Sequence, residues 1–211
     1  MLQKRNVTTF IILFFFITMS LSFFQKIAFA TPDPTEQFRP FLKKVTDVLA
    51  DPELKTIPKN EQGKRIIKVV KERFDFREMS KRVLGSQWRD LNDKEQREFE
   101  DLFTQMLQYA YIGKIDEYAG QKVEFTQQRV KGERAEVQTL LVDRDKSVSV
   151  SYIMLLRGEQ WMTYDVVVEG VSLVRNYMEQ FKEILKKDGY VGLVKQVKEK
   201  IEQIEKEKKH N

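Results

Sequence analysis

The spacing of apolar residues changes repeatedly along the chain, and each change predicts a different element. Val7 to Phe24 is apolar apart from a few Thr and Ser. Further on, Phe38, Phe41, Leu42, Val45 and Leu49 recur three and four residues apart, which marks one face of a helix. Asp33-Pro34-Thr35-Glu36 supplies its start, with Asp as N-cap, Pro at the first helical position and Glu at the third. Asp51-Pro52 ends it, and a polar loop is expected up to about Glu61. The helical period returns from Gln62 with Ile66, Ile67, Val70 and Phe74. Asp75 and Glu78 then form a D-x-x-E box that opens a short helix at Phe76. Met79, Val83 and Leu84 lie on it, Gly85 stops it, and Trp88 lies just beyond. Asn92 and Glu95 open the longest helix of the middle region, whose stripe is Phe99, Leu102, Phe103, Met106, Leu107, Ala110 and Tyr111.

After Gly120 the period drops to two. Val123 and Phe125 alternate with polar residues, as do Ala135, Val137, Thr139 and Leu141. Val148, Val150, Tyr152, Met154 and Leu156 follow, then Tyr164, Val166 and Val168. Four strands are predicted. The breaks at Lys131-Gly132-Glu133, Arg144-Asp145-Lys146 and Arg157-Gly158-Glu159 are short and polar, so the strands form an antiparallel meander. Ser172 opens a helix bearing Leu173, Val174, Tyr177, Phe181, Ile184 and Leu185, and Gly189 stops it. A last helix carries Leu193, Val194, Val197, Ile201 and Ile204 before a charged end from Glu202 to Asn211. Helices, then a sheet, then helices again make an α+β arrangement.

The first apolar run takes on meaning from its flanks. Lys4 and Arg5 precede it, and Ala28-Phe29-Ala30 is a small-x-small site, so 1–30 reads as a signal peptide cleaved between Ala30 and Thr31. The alternative is an uncleaved membrane anchor. No cysteine follows for lipid attachment. The remaining 31–211 fits one domain in an exported envelope protein. Lys4, Arg5 and Lys26 leave with the leader, so the net charge of +5 falls to about +2. That removes most of the support for nucleic-acid binding, which needs a concentrated basic footprint.

Zero cysteines exclude disulfides and thiol catalysis, and the one histidine, His210, sits in the charged tail. Catalytic triads, histidine acid–base chemistry and histidine-ligated metals are thereby lost, and no metal site is expected. Asp165 and Glu169 fall away from the Tyr164/Val166/Val168 face, either as a carboxylate pair in a cleft or as a solvent-side face of an edge strand. The apolar inventory stands out more. The chain has fifteen Phe, seven Tyr and seven Met, and Ile153 and Leu155 make the third strand apolar on its second face too. Such a sheet needs cover on both sides, or a ligand on one. Met and aromatic side chains suit an adaptable greasy cavity, although ordinary core accounts for the same pattern.

Two stretches carry a resemblance. One is Phe74-Asp75-Phe76-Arg77-Glu78-Met79 with Val83-Leu84-Gly85, Trp88, Phe99, Phe103 and Tyr118-Ala119-Gly120-Gln121. The other is Tyr164-Asp165-Val166 running into Glu169-Gly170-Val171-Ser172-Leu173-Val174, Asn176-Tyr177 and Gln180-Phe181. Together they resemble the MlaC family, also known as toluene-tolerance (Ttg2) proteins, over nearly all of 31–211. Met178 departs from the pattern, which leads one to expect Arg there. The resemblance implies a twisted antiparallel sheet of about four strands wrapped by helices, with a deep apolar pocket. It implies a periplasmic phospholipid carrier, not an enzyme and without a cofactor, that shuttles glycerophospholipids and so maintains outer-membrane lipid asymmetry. The implied partners are an inner-membrane ABC transporter with an MlaD-like substrate-binding subunit and an MlaA-like outer-membrane lipoprotein–porin complex.

Combining the helical stripes with one sheet face gives the expected pocket: Met79, Val83, Trp88, Phe103, Met106, Leu107, Tyr111, Tyr152, Met154, Tyr164, Val166, Val171, Val174 and Tyr177. Arg82 and Arg89 flank the Trp88 segment and could meet a phosphate at its mouth. Phe41, Leu42 and Ile67 are assigned to plain core. Two other functions remain open: a periplasmic chaperone or adaptor with an apolar groove, and an enzyme on a cone-shaped α+β fold with Asp165 or Glu169 as base.

Overall fold

A computed structural model describes residues 31–115, 121–143 and 146–210, with side chains for 31–110, 121–143 and 146–206. The leader, its cleavage site, the side chain of Tyr111 and the Tyr118–Gly120 motif lie outside the described residues.

Helix α1 spans Pro34–Ala50, and the Asp33 carboxylate caps it by accepting from the Glu36 N–H at 2.9 Å. Asp51 both ends α1 and starts α2, Pro52–Thr56, by accepting from the Glu53 N–H at 3.0 Å. Helix α3 follows at Lys59–Val70. The polar loop expected here is therefore mostly helical. Its composition hid a proline-started turn whose Leu54 is fully buried. Helix α4, Phe76–Leu84, is capped by Asp75 and closed by Gly85. A 3-10 turn, Gly85–Asp90, carries Trp88 inward. Helix α5, Asp93–Ile115, starts on a reciprocal box: Asn92 Oδ1 accepts from Glu95 N–H, and Glu95 Oε2 accepts from Asn92 N–H.

Among the described residues the sheet has five antiparallel strands in sequential order: β1 Lys122–Lys131, β2 Arg134–Asp143, β3 Lys146–Arg157, β4 Gln160–Val168 and β5 Val171–Ser172. Two-residue turns at Gly132-Glu133 and Gly158-Glu159 close two hairpins. The fifth strand is an addition to the four predicted. Glu169 and Gly170 both take positive φ (49° and 80°), which forms a tight hairpin turn and folds Val171 back onto Val168. The other end of the same β4 edge is covered by 73–75. Asp75 N–H donates to Thr163 O at 2.8 Å, and Thr163 N–H donates to Arg73 O at 2.7 Å.

Each sheet face buries its own apolar cluster. On one face Val137, Val150, Tyr152, Met154 and Trp161 pack against Phe38, Phe41 and Leu42 of α1. Trp161 also ties the start of the fold to β4, since its Nε1–H donates to Pro32 O at 2.7 Å. On the other face Ile153, Leu155 and Tyr164 meet α4, α5 and α6, with α6 spanning Leu173–His210. Gly189 breaks α6 at φ 67° and ψ −172°, so 190–210 packs through Leu193, Val197 and Ile201 onto the same cluster. The sequence signal for two helices separated by Gly189 corresponds to this break. Phe41 and Leu42 are buried under the sheet, and Ile67, partly buried, packs against the cluster on the other face.

Candidate functional site

The expected pocket residues divide between the two sheet faces. Met79, Val83, Trp88, Phe103, Met106, Leu107, Tyr164, Val174 and Tyr177 meet in the cluster formed by α4–α6. Tyr152, Met154 and Val166 lie in the α1 cluster on the opposite face. Val171 belongs to neither and is 62% exposed on β5.

A bulge in β4 causes much of this division. Ile153 pairs with Asp165 but Met154 pairs with Thr163, which leaves Tyr164 as the extra residue. An inserted residue reverses the alternation of every residue beyond it. Thr163 and Val166 consequently share a face, whereas Tyr164 joins Asp165 on the other. The uninterrupted Tyr164/Val166/Val168 face inferred from strict alternation does not exist. Nothing in the local sequence marks the bulge.

The α4–α6 cluster is built from aromatic rings at helical spacing. Phe103 stacks on Phe99 with centroids 6.0 Å apart and meets Tyr177 edge-on at 5.3 Å. Phe181 contacts Phe99, Phe103 and Tyr177 at 5.7–6.2 Å. Phe181, Leu193, Val197 and Ile201 from α6 belong to the cluster as fully as the expected residues. Their periodicity was visible, but pairing these helices with α5 rather than with the sheet was not. On the other sheet face, burial pushes the Tyr152 phenol up to about 12.

Beside the cluster lies an open cleft of about 380 Å³, lined by Glu78, Lys81, Arg82, Gly85, Ser86, Trp88 and Arg89. Trp88 is buried and belongs to both the cleft wall and the apolar cluster. Glu78 accepts from Arg157 at 3.0 Å and pairs with Arg82 at 2.8 Å, and Lys81 stands 3.9 Å away. The Arg82 guanidinium lies over the Tyr164 ring, 3.9 Å from its centroid, and its Nε is buried with no hydrogen-bond partner among the described residues. Arg82 and Arg89 are thus brought to one cleft, joined by Lys81, which no sequence motif singles out.

The two carboxylates considered as a catalytic base make structural bonds. Asp165 Oδ1 accepts from the Val174 N–H at 3.0 Å, and Oδ2 accepts from the Ser172 hydroxyl at 2.5 Å. Ser172 Oγ in turn accepts from the Arg175 N–H at 3.0 Å, so the pair caps α6. Glu169 accepts from the Ser149 N–H. Among the described residues no group of three or more His, Asp or Glu is placed to hold a metal ion, and no helix is long and apolar enough to cross a membrane.

Comparison with known proteins places the chain. It is similar to the phospholipid-binding protein from Ralstonia solanacearum, solved in complex with a phospholipid, with a TM-score of 0.73 and 22% identity. That match covers 82% of this chain and 99% of the other. It is also similar to the intermembrane phospholipid transport system binding protein MlaC of Haemophilus influenzae, 22% identical over 129 residues. This second match takes in 58% of the chain and spans only 60% of that relative's length. The MlaC protein family model matches residues 40–199, well over half of the sequence, and the chain therefore belongs to the MlaC family.

Proposed function

We propose that this protein is a periplasmic phospholipid carrier, released from its leader between Ala30 and Thr31. It would take glycerophospholipid in an apolar slot and exchange it between the outer membrane and an inner-membrane ABC transporter. The observation that carries the reading is family membership across 40–199, together with the fold shared with a protein solved bound to phospholipid.

The chemistry of the chain agrees with a passive carrier. Each methylene removed from water contributes roughly 0.8 kcal/mol, so two acyl chains need a dry enclosure to cross an aqueous space. The α4–α6 cluster supplies apolar and aromatic surface in quantity, from Met79, Phe103, Met106 and Leu107 to Tyr177. We place the acyl chains there, between these helices and the Tyr164 side of the sheet. Tyr111 extends the same stripe in sequence. Tyr152, Met154 and Val166 would then support the sheet from behind. No covalent step is required. Direction would come from the MlaD-like and MlaA-like partners, because a passive carrier only equilibrates its cargo between membranes.

The test is lipid extraction. Residues 31–211 are delipidated, refolded, incubated with phosphatidylethanolamine–phosphatidylglycerol vesicles, separated from them and extracted. About one phospholipid per chain is expected. A protein that is folded yet carries none, both as purified and after incubation, would refute the reading.

A further inference from the structure

We propose that the cleft between α4 and the 3-10 turn is the seat of the cargo's phosphodiester, gripped by Arg82 and Arg89 with Lys81 beside them. The inference rests on the carrier reading and adds to it the part of the lipid that is read by charge.

Five observations converge. The cleft is open to solvent, about 380 Å³, and among the described residues its lining includes three cationic side chains and a single acidic one, Glu78. That acid is already neutralised from behind, because Arg157 Nη2 holds Glu78 Oε2 at 3.0 Å. Arg82 can therefore share its fork between Glu78 and an incoming anion without leaving Glu78 unpaired. A buried guanidinium N–H without a partner is costly, and Arg82 Nε is such a donor. Its planar fork suits phosphate oxygens, and stacking on Tyr164 holds the plane in place before any ligand arrives. Arg89 is exposed at the rim and has no ion pair among the described residues.

Position completes the argument. Trp88 forms cleft wall on one side and apolar cluster on the other, and Tyr164 links the Arg82 guanidinium to the same cluster. A phosphodiester in the cleft thus leaves its glycerol next to the surface where the acyl chains would go. The cleft is open, so the alcohol beyond the phosphate stays in water. The site distinguishes phospholipid from diacylglycerol, and it barely distinguishes ethanolamine from glycerol head groups.

The experiment is a competition. Delipidated 31–211 is offered vesicles containing equal phosphatidylglycerol, phosphatidylethanolamine and diacylglycerol with identical acyl chains, and extracted lipid is counted by mass spectrometry. The expected preference for either phospholipid over diacylglycerol is about tenfold, as charge-assisted bonds to a phosphate imply. The Arg82→Gln/Arg89→Gln pair should bring that ratio close to one. Arg89→Gln alone, at an exposed residue whose loss does not threaten folding, should lower it about threefold, with Arg89→Lys retaining most of it. An unchanged ratio in Arg89→Gln and in the pair overturns the proposal. So does a wild-type ratio near one, which leaves the carrier reading standing. Uptake of none of the three lipids would bring down both. Glycerol phosphate binding to the cleft as tightly as phospholipid, measured calorimetrically, would assign the site to a free phosphate compound and also overturn the proposal.

Discussion

Replacing Gly189 by Ala should destabilise the protein by about 1–2 kcal/mol, through backbone strain alone. Gly189 has φ 67° and ψ −172°, a region that residues with a Cβ enter only at a cost of about 1–3 kcal/mol. An added Cβ would meet nothing within 4 Å, so no clash contributes. Alanine also restricts the unfolded chain, which returns about 0.4–1 kcal/mol. The chain could avoid the strain by straightening α6, but that would lift Leu193, Val197 and Ile201 off the cluster, where they are 0%, 3% and 5% exposed. Each such residue contributes about 1.5–3 kcal/mol by burial, so accepting the strain costs less. Straightening would also break the Tyr190 hydroxyl's bond to Glu95 O and the Lys198–Glu98 pair. Urea unfolding of 31–211 reads the effect, as a lower midpoint at unchanged slope. A neutral or stabilising result would mean that the kink is not imposed at this residue. Gly192→Ala is an informative neighbour, because its Cβ would lie 2.3 Å from Asp188 Cβ. Its cost is steric and should be partly relieved by Asp188→Gly, whereas the cost of Gly189→Ala should not.

Asp165→Ala should cost about 1–2 kcal/mol by uncapping α6, and a urea midpoint unchanged from wild type would contradict the capping role. Tyr152 ionises near 12 when folded, against about 10 when unfolded, so its contribution is intact below pH 10 and is lost as pH rises towards 12. Tyr152→Phe should flatten that alkaline decline, and parallel stability curves for variant and wild type between pH 9 and 12 would refute it. Asp33 is held below its usual range, chiefly by the Glu36 N–H and then by the Gln128 amide. Its contribution is present above about pH 4 and lost as pH falls through the depressed value. Asp33→Asn should therefore lose its disadvantage to wild type on acidification from pH 5 to pH 2, and a gap independent of pH in urea titrations would exclude this.

The sequence made local structure legible where one residue type has one physical job. Asp33, Asp75 and Asn92 mark helix starts because a short side-chain acceptor satisfies N–H groups that the first turn leaves free. Gly85 and Gly189 mark ends because both take positive φ. Period two identified the strands β1–β4. What failed was long-range consequence. The β4 bulge is set by the pairing of Ile153 with Asp165 and Met154 with Thr163, a property of two strands together. The cleft was half legible: Arg82 and Arg89 flank a recognisable segment, but the closeness of Arg157 to Glu78, seventy-nine residues apart, follows only from the fold.

The bulge also bears on function. With uninterrupted alternation back from Val166, Tyr164 would join Val166 on the α1 face, and Asp165 alone would point to the helix side. The bulge puts Tyr164 and Asp165 side by side on the helix side, where they serve neighbouring tasks. Asp165 holds the first turn of α6, the helix that supplies Val174, Tyr177 and Phe181 to the cluster. Tyr164 supports Arg82 from below. The apolar surface proposed for acyl chains and the cation proposed for phosphate are thus fixed by adjacent residues of one irregularity. A variant that removes it by deleting Thr163, Tyr164 or Asp165 should disturb α6 and the cleft together. Loss of helix content with the phospholipid preference intact would show that the two are positioned separately.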